Sequence, residues 1–252
     1  LTNEELRKLI GTKYKTKRSG VCKIIDVITI KSGNRNRSRI VLKFLKTGYI
    51  KVTTYRQLID DGTHGGVSDP YYPRVCGVGF IGEGDYNTSS HRRLYGLWLS
   101  MLNRAYKHPS YTEISVCSRW LNFQNFAKDI QKKRNWNTPN FELDKDLRVF
   151  NCKIYSPKTT SFVPRILNAM CRQGGRGYSY TDWGYRVVTT INNKPKSFGT
   201  FKTKKKAKQV YIKVRAEAIY NVALKYKTQL HKEVRANLLD REKLEIWLRT
   251  KR

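Results

Sequence analysis

The sequence predicts an α+β protein, and three observations carry that expectation. Between Tyr14 and about Val52 the chain has β-branched, partly alternating runs broken by Gly and polar turns. Residues 90–107 and 122–133 carry apolar side chains at helical spacing. After Tyr178, three short strand patterns precede a helical stretch from Lys204 to about Lys225. The expected organisation is a small basic β-rich domain over residues 1–75 and a central strand–loop–strand–helix core with flanking helices over 76–172. A three-stranded antiparallel sheet with one helix follows over 173–252, with a C-terminal helix at its end.

Residues 1–9 allow one short amphipathic helical turn, since Thr2 and Glu5 have capping-box spacing. Strands are expected at Val21–Ile28, Arg39–Leu45 and Tyr49–Val52, with a polar basic loop at Lys31–Ser38 and a tight turn at Lys46-Thr47-Gly48. This module fits an SH3-like DNA-binding accessory and a plain packing module with a solvated loop equally well. Residues 61–90 are rich in Gly and Pro and read as a linker or hairpin. The segment GVGFIGEG lacks the Lys-Ser/Thr of a phosphate loop and does not join a strand to a helix, which argues against nucleotide binding. In the helix over 90–107, Leu94, Leu97, Trp98, Met101, Leu102 and Ala105 share one face; in the next, Phe123, Phe126, Ala127 and Ile130 do. These stripes are expected to be core.

The charge balance narrows the function. With 51 Lys and Arg against 19 Asp and Glu, the net charge of +32 calls for a polyanionic partner, and nucleic acid leads. No long apolar run or lipid-anchor signal points to a membrane. The 12 % of aromatic residues argues against a disordered basic tail. Cys22, Cys76, Cys117, Cys152 and Cys171 are odd in number and contain no C-x-x-C pair, so free thiols in a reducing cytoplasm are expected rather than disulfides or a zinc knuckle. The opening LTNEELRKL is charged and unlike a secretory signal, and it lacks an initiator Met, so the true start can lie upstream.

Chemistry concentrates in residues 141–168. A strand carrying Asp144, a loop with Asn151, a second short strand reaching Tyr155 and a helix beginning at Ser156-Pro157 are expected, with Asn168 on the helix. An Asp on the strand and an Asn on the helix can offer two hard oxygen ligands to Mg²⁺. Spacing alone favours a plainer reading, in which Asp144 and Asp146 pair with nearby Lys and Arg and Asn168 is a surface residue.

The stretch resembles the ββα-metal motif of HNH endonucleases, in the variant found among phage-type homing enzymes. The pattern from Ser90 to Tyr106 (S-H-x-x-L-Y-x-x-W-x-x-M-x-x-R-x-Y) is similar to the region preceding that motif, and so is Val116–Phe123. The resemblance implies Asp144 and Asn168 as ligands of Mg²⁺ or Mn²⁺, with Asp146 as a further candidate. The family's general base is a His, and Lys145 stands in its place. Lys is a poor base at neutral pH unless burial lowers its pKa. Lys145 as a depressed base, His91 as the base, and an inactive site that only binds DNA all remain open, and Lys145 can alternatively contact the scissile phosphate. Arg92, Arg93 and Arg176 are expected DNA contacts.

The last module has strands at 178–181, 185–191 and 194–198, turns at Asp182-Trp183-Gly184 and Asn192-Asn193, and a helix capped by Thr203. Ala207, Val210, Tyr211, Val214, Ala218, Tyr220 or Asn221, and Val222 are its expected inner face. One sheet face is thereby covered and one left free. The module resembles the APETALA/ethylene-response-factor DNA-binding domain through Trp183-Gly184, Phe198-Gly199-Thr200-Phe201, Thr203, Ala207 and Tyr211. That resemblance implies base reading by about Tyr180, Arg186, Val188, Thr190, Lys196 and Ser197. Lys202, Lys204, Lys205, Lys206 and Lys208 crowd the helix start, against its dipole, where phosphate contacts could offset the cost. A final helix over about 240–249 is expected to pack back or to mediate self-association. Taken together, the resemblances imply a sequence-directed, Mg²⁺-dependent endonuclease acting on double-stranded DNA, in the host cytoplasm if phage-encoded. The alternative is a non-catalytic DNA- or RNA-binding protein on the same scaffold.

Overall fold

The computed structural model describes residues 1–33, 35–60, 66–109, 113–172, 177–191 and 194–250. The chain is α+β and divides into two compact units, residues 1–111 with 118–127, and residues 112–117 with 128–252. Neither division therefore falls at the expected 75/76 or 172/173. The helices upstream of residue 123 belong to the first unit, the helix over 123–131 is divided between the two, and the strand of Asp144 and the C-terminal sheet and helices share the second.

The first unit opens with helix α1 (Asn3–Arg7), closed by the expected reciprocal Thr2–Glu5 capping box. Strands β1 (Lys13–Thr16), β2 (Gly20–Ser32), β3 (Arg35–Phe44) and β4 (Ile50–Thr53) form an antiparallel meander. Strand β1 opens the strand-patterned region that begins at Tyr14. The expected 31–38 loop is largely strand, because β2 and β3 stay paired out to Ser32 and Arg35. A bulge between Ile24 and Asp26 shifts the alternation by one residue, so Cys22, Ile24 and Val27 all reach the core. They meet Leu6, Ile40, Leu42 and Phe44, and Leu58 of a further short helix, α2 (Tyr55–Ile59).

Helix α3 (Arg92–Tyr106) buries Leu94, Trp98, Met101, Leu102 and Ala105, five of the six expected; Leu97 is half-buried. The short helix α4 (Ser118–Leu121) leads into α5 (Phe123–Gln131). Trp98 Nε1 donates to the carbonyl of Trp120 at 2.7 Å, which satisfies a buried indole N–H, and Phe123 packs edge-on against Tyr95. Gly79 in the glycine-rich segment passes so close that a Cβ there would lie 2.5 Å from Leu102 Cδ1. That segment is thus a packed turn, closed by a Val75–Gly79 bridge.

In the second unit, β5 (Ser115–Val116) pairs in parallel with β7 (Ile154–Tyr155), and β6 (Phe141–Asp144) pairs antiparallel with β8 (Ser161–Pro164). Helix α6 (Arg165–Arg172) follows β8 directly. The strand–loop–strand–helix unit is therefore β6–β8–α6. The expected second strand at Tyr155 belongs to another sheet. No helix begins at Ser156-Pro157, where Ser156 and Thr159 instead form a hydrogen-bonded turn.

Strands β9 (Ser179–Thr181), β10 (Gly184–Ile191) and β11 (Lys194–Phe201) form the expected three-stranded sheet in the order β11-β10-β9. Gly184 has φ +119°, and a Cβ there would sit 2.6 Å from the Phe201 carbonyl oxygen, so the Trp183-Gly184 pair requires its glycine. Helix α7 (Lys204–Lys225) is capped by Thr203. Its most buried residues are Ala207, Ile212, Arg215, Ala216, Ile219 and Ala223, whereas Val210, Tyr211, Val214, Ala218, Tyr220 and Val222 are half-buried and Asn221 is exposed. The helix is apolar on nearly every side from residue 210 to 224, so periodicity could not select one face. Helices α8 (Lys232–Leu238) and α9 (Arg241–Thr250) complete the unit. Leu147, Val163, Leu167 and Cys171 share one core with Ile212, Ile219, Leu238 and Trp247. The final helix thus packs back onto its own unit.

Candidate metal site and nucleic-acid face

Strand β6 ends at Asp144, and the chain turns there because the carboxylate captures its own backbone. Asp144 Oδ1 accepts the N–H groups of Asp146 at 2.9 Å and Leu147 at 2.7 Å, an Asx-type turn. Both bonds fall on Oδ1; among the described residues no hydrogen bond reaches Oδ2. The side chain is only 8 % exposed. Burial, with Asp146 nearby, pushes its pKa up to about 6, outweighing the two backbone bonds.

Asn168 sits on α6 and is buried. Its Nδ2 donates to Glu142 Oε2 at 2.8 Å, and this fixes the amide's orientation. The carbonyl Oδ1 is buried without a hydrogen-bond partner. A native protein seldom leaves such an atom unsatisfied unless an ion or water belongs there. Glu142, two residues before Asp144 on the same side of β6, also binds Arg172 at 2.7 Å and lies 3.5 Å from Arg165. It positions Asn168 and was missed in the sequence, although strand alternation placed it beside Asp144. Ser161 stands directly opposite Asp144 in the ladder. Among the described residues no group of three or more His, Cys, Asp and Glu is arranged to hold a metal. The donor set here is one carboxylate and one amide oxygen, hard ligands of the kind Mg²⁺ takes when it keeps several waters. In donor chemistry these two residues fit that ion.

Lys145 is also buried, at 5 % exposure, but points elsewhere. Its Nζ donates to Asp146 Oδ1 and to the Cys152 carbonyl, each at 2.7 Å. Its ion pair is with Asp146, not Asp144. The ammonium therefore staples the loop that follows β6, and it engages one of the oxygens that Asp146 would need as a ligand. Asp146 is not on the strand, which stops at Asp144. His91 lies in the first unit as the residue before α3. The Asn87 backbone N–H donates to its Nδ1 at 3.2 Å, and Ser90 Oγ lies 3.1 Å away. Nδ1 also lies 3.2 Å from the Asn87 carbonyl oxygen, to which the other tautomer would donate. Arg92 and Arg93 are exposed in the first turn of α3. Arg176 and the Asn192-Asn193 turn lie outside the described residues.

In the C-terminal sheet, Arg186, Val188 and Thr190 alternate outward and are exposed, whereas Val187 is buried. The register sets Arg186 opposite Ser179 and Thr200, and Val188 opposite Ser197. A register shift between Arg186 and Val188 matches one residue of β10 to two of β11, at Phe198-Gly199, where Gly199 has φ +107°. The outward face thus presents Ser179, Arg186, Val188, Thr190, Ser197 and Thr200. Tyr180 and Lys196 do not join it: Tyr180 pairs with Tyr185 and Lys196 with Thr189, on the opposite side. Trp183, in the β9–β10 turn, is 88 % exposed. Lys202, Lys204, Lys205, Lys206 and Lys208 are all exposed around the start of α7.

No family model, curated protein or solved structure matches the chain. Among the described residues no helix is long and apolar enough to cross a membrane.

Proposed function

We propose that this protein is a sequence-directed, divalent-metal-dependent DNA endonuclease of the HNH type. One observation carries the reading: a buried carboxylate and a buried, unpartnered amide oxygen both belong to a single strand–loop–strand–helix unit. Asp144 and Asn168 would hold Mg²⁺ or Mn²⁺, and Glu142 would hold the Asn168 amide in position. A divalent ion bound there supplies Lewis-acid stabilisation of charge on the phosphoryl and leaving oxygens. Asp144 is suited to that task because its carboxylate is buried beside a second carboxylate, Asp146, and Lys145 and two backbone bonds offset that cost only in part. The net charge of +32 supports a polyanionic substrate, and the exposed lysines around α7 give it a surface.

The outward face of the C-terminal sheet is the proposed reader. Arg186 is the one cation of that face foreseen as a base contact, so Arg186→Ala should weaken specific binding by about 1–3 kcal/mol. Mobility-shift titrations against a selected target and a scrambled duplex measure this. An unchanged preference between the two duplexes would remove the sheet face from the recognition surface.

The second reading is a DNA-binding protein without cleavage. It is favoured by how the two foreseen bases are engaged: Lys145 donates to Asp146 and Cys152, and the Asn87 N–H donates to His91 Nδ1. Incubating supercoiled and genomic DNA with Mg²⁺ or Mn²⁺ separates the two readings. The enzyme nicks or linearises DNA, and Asp144→Ala and Asn168→Ala do not. Identical products from all three proteins would end the nuclease reading.

A further inference from the structure

Beside the candidate metal site, the second unit contains a small cavity of about 270 Å³. It is smaller than the roughly 300–1,000 Å³ pockets that enclose whole small molecules. Its walls carry Lys132, Lys133, Arg134, Arg148 and His231, and no Asp or Glu is among the lining residues. Lys133 Nζ donates to the carbonyls of Pro157 at 2.7 Å and Thr160 at 2.8 Å, and Arg148 Nη1 donates to the Pro157 carbonyl at 3.1 Å. Two cations thus converge on one short segment, held by neutral carbonyls. The nearby carboxylate Glu233 is bound to Arg148 and lies 3.7 Å from His231. Among the described residues Lys132 and Arg134 have no ion-pair partner. Burial and the neighbouring Arg148 lower the pKa of Lys133 to about 8, and the same causes lower that of His231. Glu233 offsets part of the charge of Arg148 and His231, and Asp129 part of that of Lys133, so the unpaired charge of the cluster lies with Lys132 and Arg134. Ser161 adds a buried hydroxyl with no hydrogen-bond partner. It also fixes the location, because it stands directly opposite Asp144 across the β6–β8 ladder, where paired Cβ atoms lie about 4.5–5.5 Å apart.

We infer that this cavity is a phosphate-binding pocket, formed by Lys132, Lys133, Arg134, Arg148, Ser161 and His231, and that it holds an internal phosphodiester of the strand presented to Asp144. The identity of the occupant as DNA rests on the nuclease reading; the capacity to bind phosphate does not. Lys and Arg supply charge-assisted donors, and the Ser161 hydroxyl supplies the neutral donor that the cavity otherwise leaves unused. A phosphate held here would anchor the strand next to the metal carboxylate.

The test uses the full chain in EDTA, where metal-dependent cleavage is silent. Inorganic phosphate is titrated while the His231 imidazole signals are followed by NMR. Saturable shifts are expected, with affinity at least 10-fold weaker in K132A/R134A, whose side chains are exposed and outside the core, and weaker again with Ser161→Ala added. K225A/K227A removes the same charge from the C-terminal end of α7 and the turn after it and should change affinity less than twofold. Shifts that do not saturate, or equal weakening in both double variants, would overturn the pocket. Short oligonucleotides with and without a 5′-phosphate distinguish the source: equal affinity supports an internal diester, and a 10-fold preference for the phosphorylated end overturns that assignment. If the wild type binds phosphate in EDTA yet cleaves no DNA with Mg²⁺, the nuclease reading fails and the pocket stands.

Discussion

Asp144→Asn should abolish cleavage and, in the same protein, stabilise the metal-free fold. The loss of activity is expected to be at least about 10³-fold, the scale on which removing a preorganised electrostatic element acts. The gain in stability follows from linkage. Asp144 has a pKa of about 6 in the folded chain against an ordinary 3.8. Between those values the folded state holds more protons than the unfolded one, so stability falls as pH rises from about 4 to 6. Above pH 6 the full cost of burying this carboxylate, which its backbone bonds and Lys145 offset only in part, is present, on the order of 1–3 kcal/mol. Asparagine keeps the oxygen that accepts the Asp146 and Leu147 N–H groups but carries no charge. Urea melts in EDTA should therefore show the variant level with the wild type near pH 4 and more stable at pH 7.5. Mg²⁺ should stabilise the wild type and leave the variant nearly unchanged. A variant less stable than the wild type by 1 kcal/mol at pH 7.5 in EDTA would mean that Asp144 is a structural carboxylate.

How far this site was legible in the sequence depends on which interaction decides each residue. Asp144 was expected on a strand and Asn168 on a helix, and the structure places them on β6 and α6. The second strand was misplaced because Tyr155 and Phe162 lie in equally short apolar runs. The choice between them is made by long-range pairing: β7 joins β5 in parallel, and β8 joins β6. The role of Lys145 was open for a related reason. Where a long flexible side chain points depends on the carbonyl of Cys152, seven residues on, which no local pattern reveals. The C-terminal sheet was easier, because turn residues and alternation are local signals. Even there Tyr180 and Lys196 changed sides, since register alone decides which face a strand residue occupies. The buried stripe of α7 was unreadable because its apolar residues serve two surfaces, the sheet and the α6–α8–α9 core.

That shared core leads to the second large effect. The loop after Asp144 is held in place by helices nearly a hundred residues downstream. Trp247 on α9 stacks on Phe150 with ring centroids 4.4 Å apart and planes 8° from parallel. Its Nε1 donates to Asn151 Oδ1 at 3.2 Å. Asn151 has φ +60°, a left-handed turn, and its Nδ2 donates to Thr250 Oγ1 at 3.1 Å. Asn237 Nδ2 donates to the carbonyls of Leu147 and Arg148, both at 3.1 Å. Trp247→Ala should cost about 3–5 kcal/mol, the usual range for emptying a buried aromatic site. Because Lys145, Asp146 and the backbone donors to Asp144 belong to the clamped loop, cleavage should also fall at temperatures where the variant remains folded. Trp247→Phe keeps the stack on Phe150 and loses only the N–H donor to Asn151, so its cost should stay near 1–2 kcal/mol. Urea melts of the three proteins, with cleavage rates measured well below each transition, test both halves. A loss below 1 kcal/mol in Trp247→Ala would show that α9 is not the clamp. Full stability loss with unchanged cleavage at low temperature would show that the loop holds its shape without it.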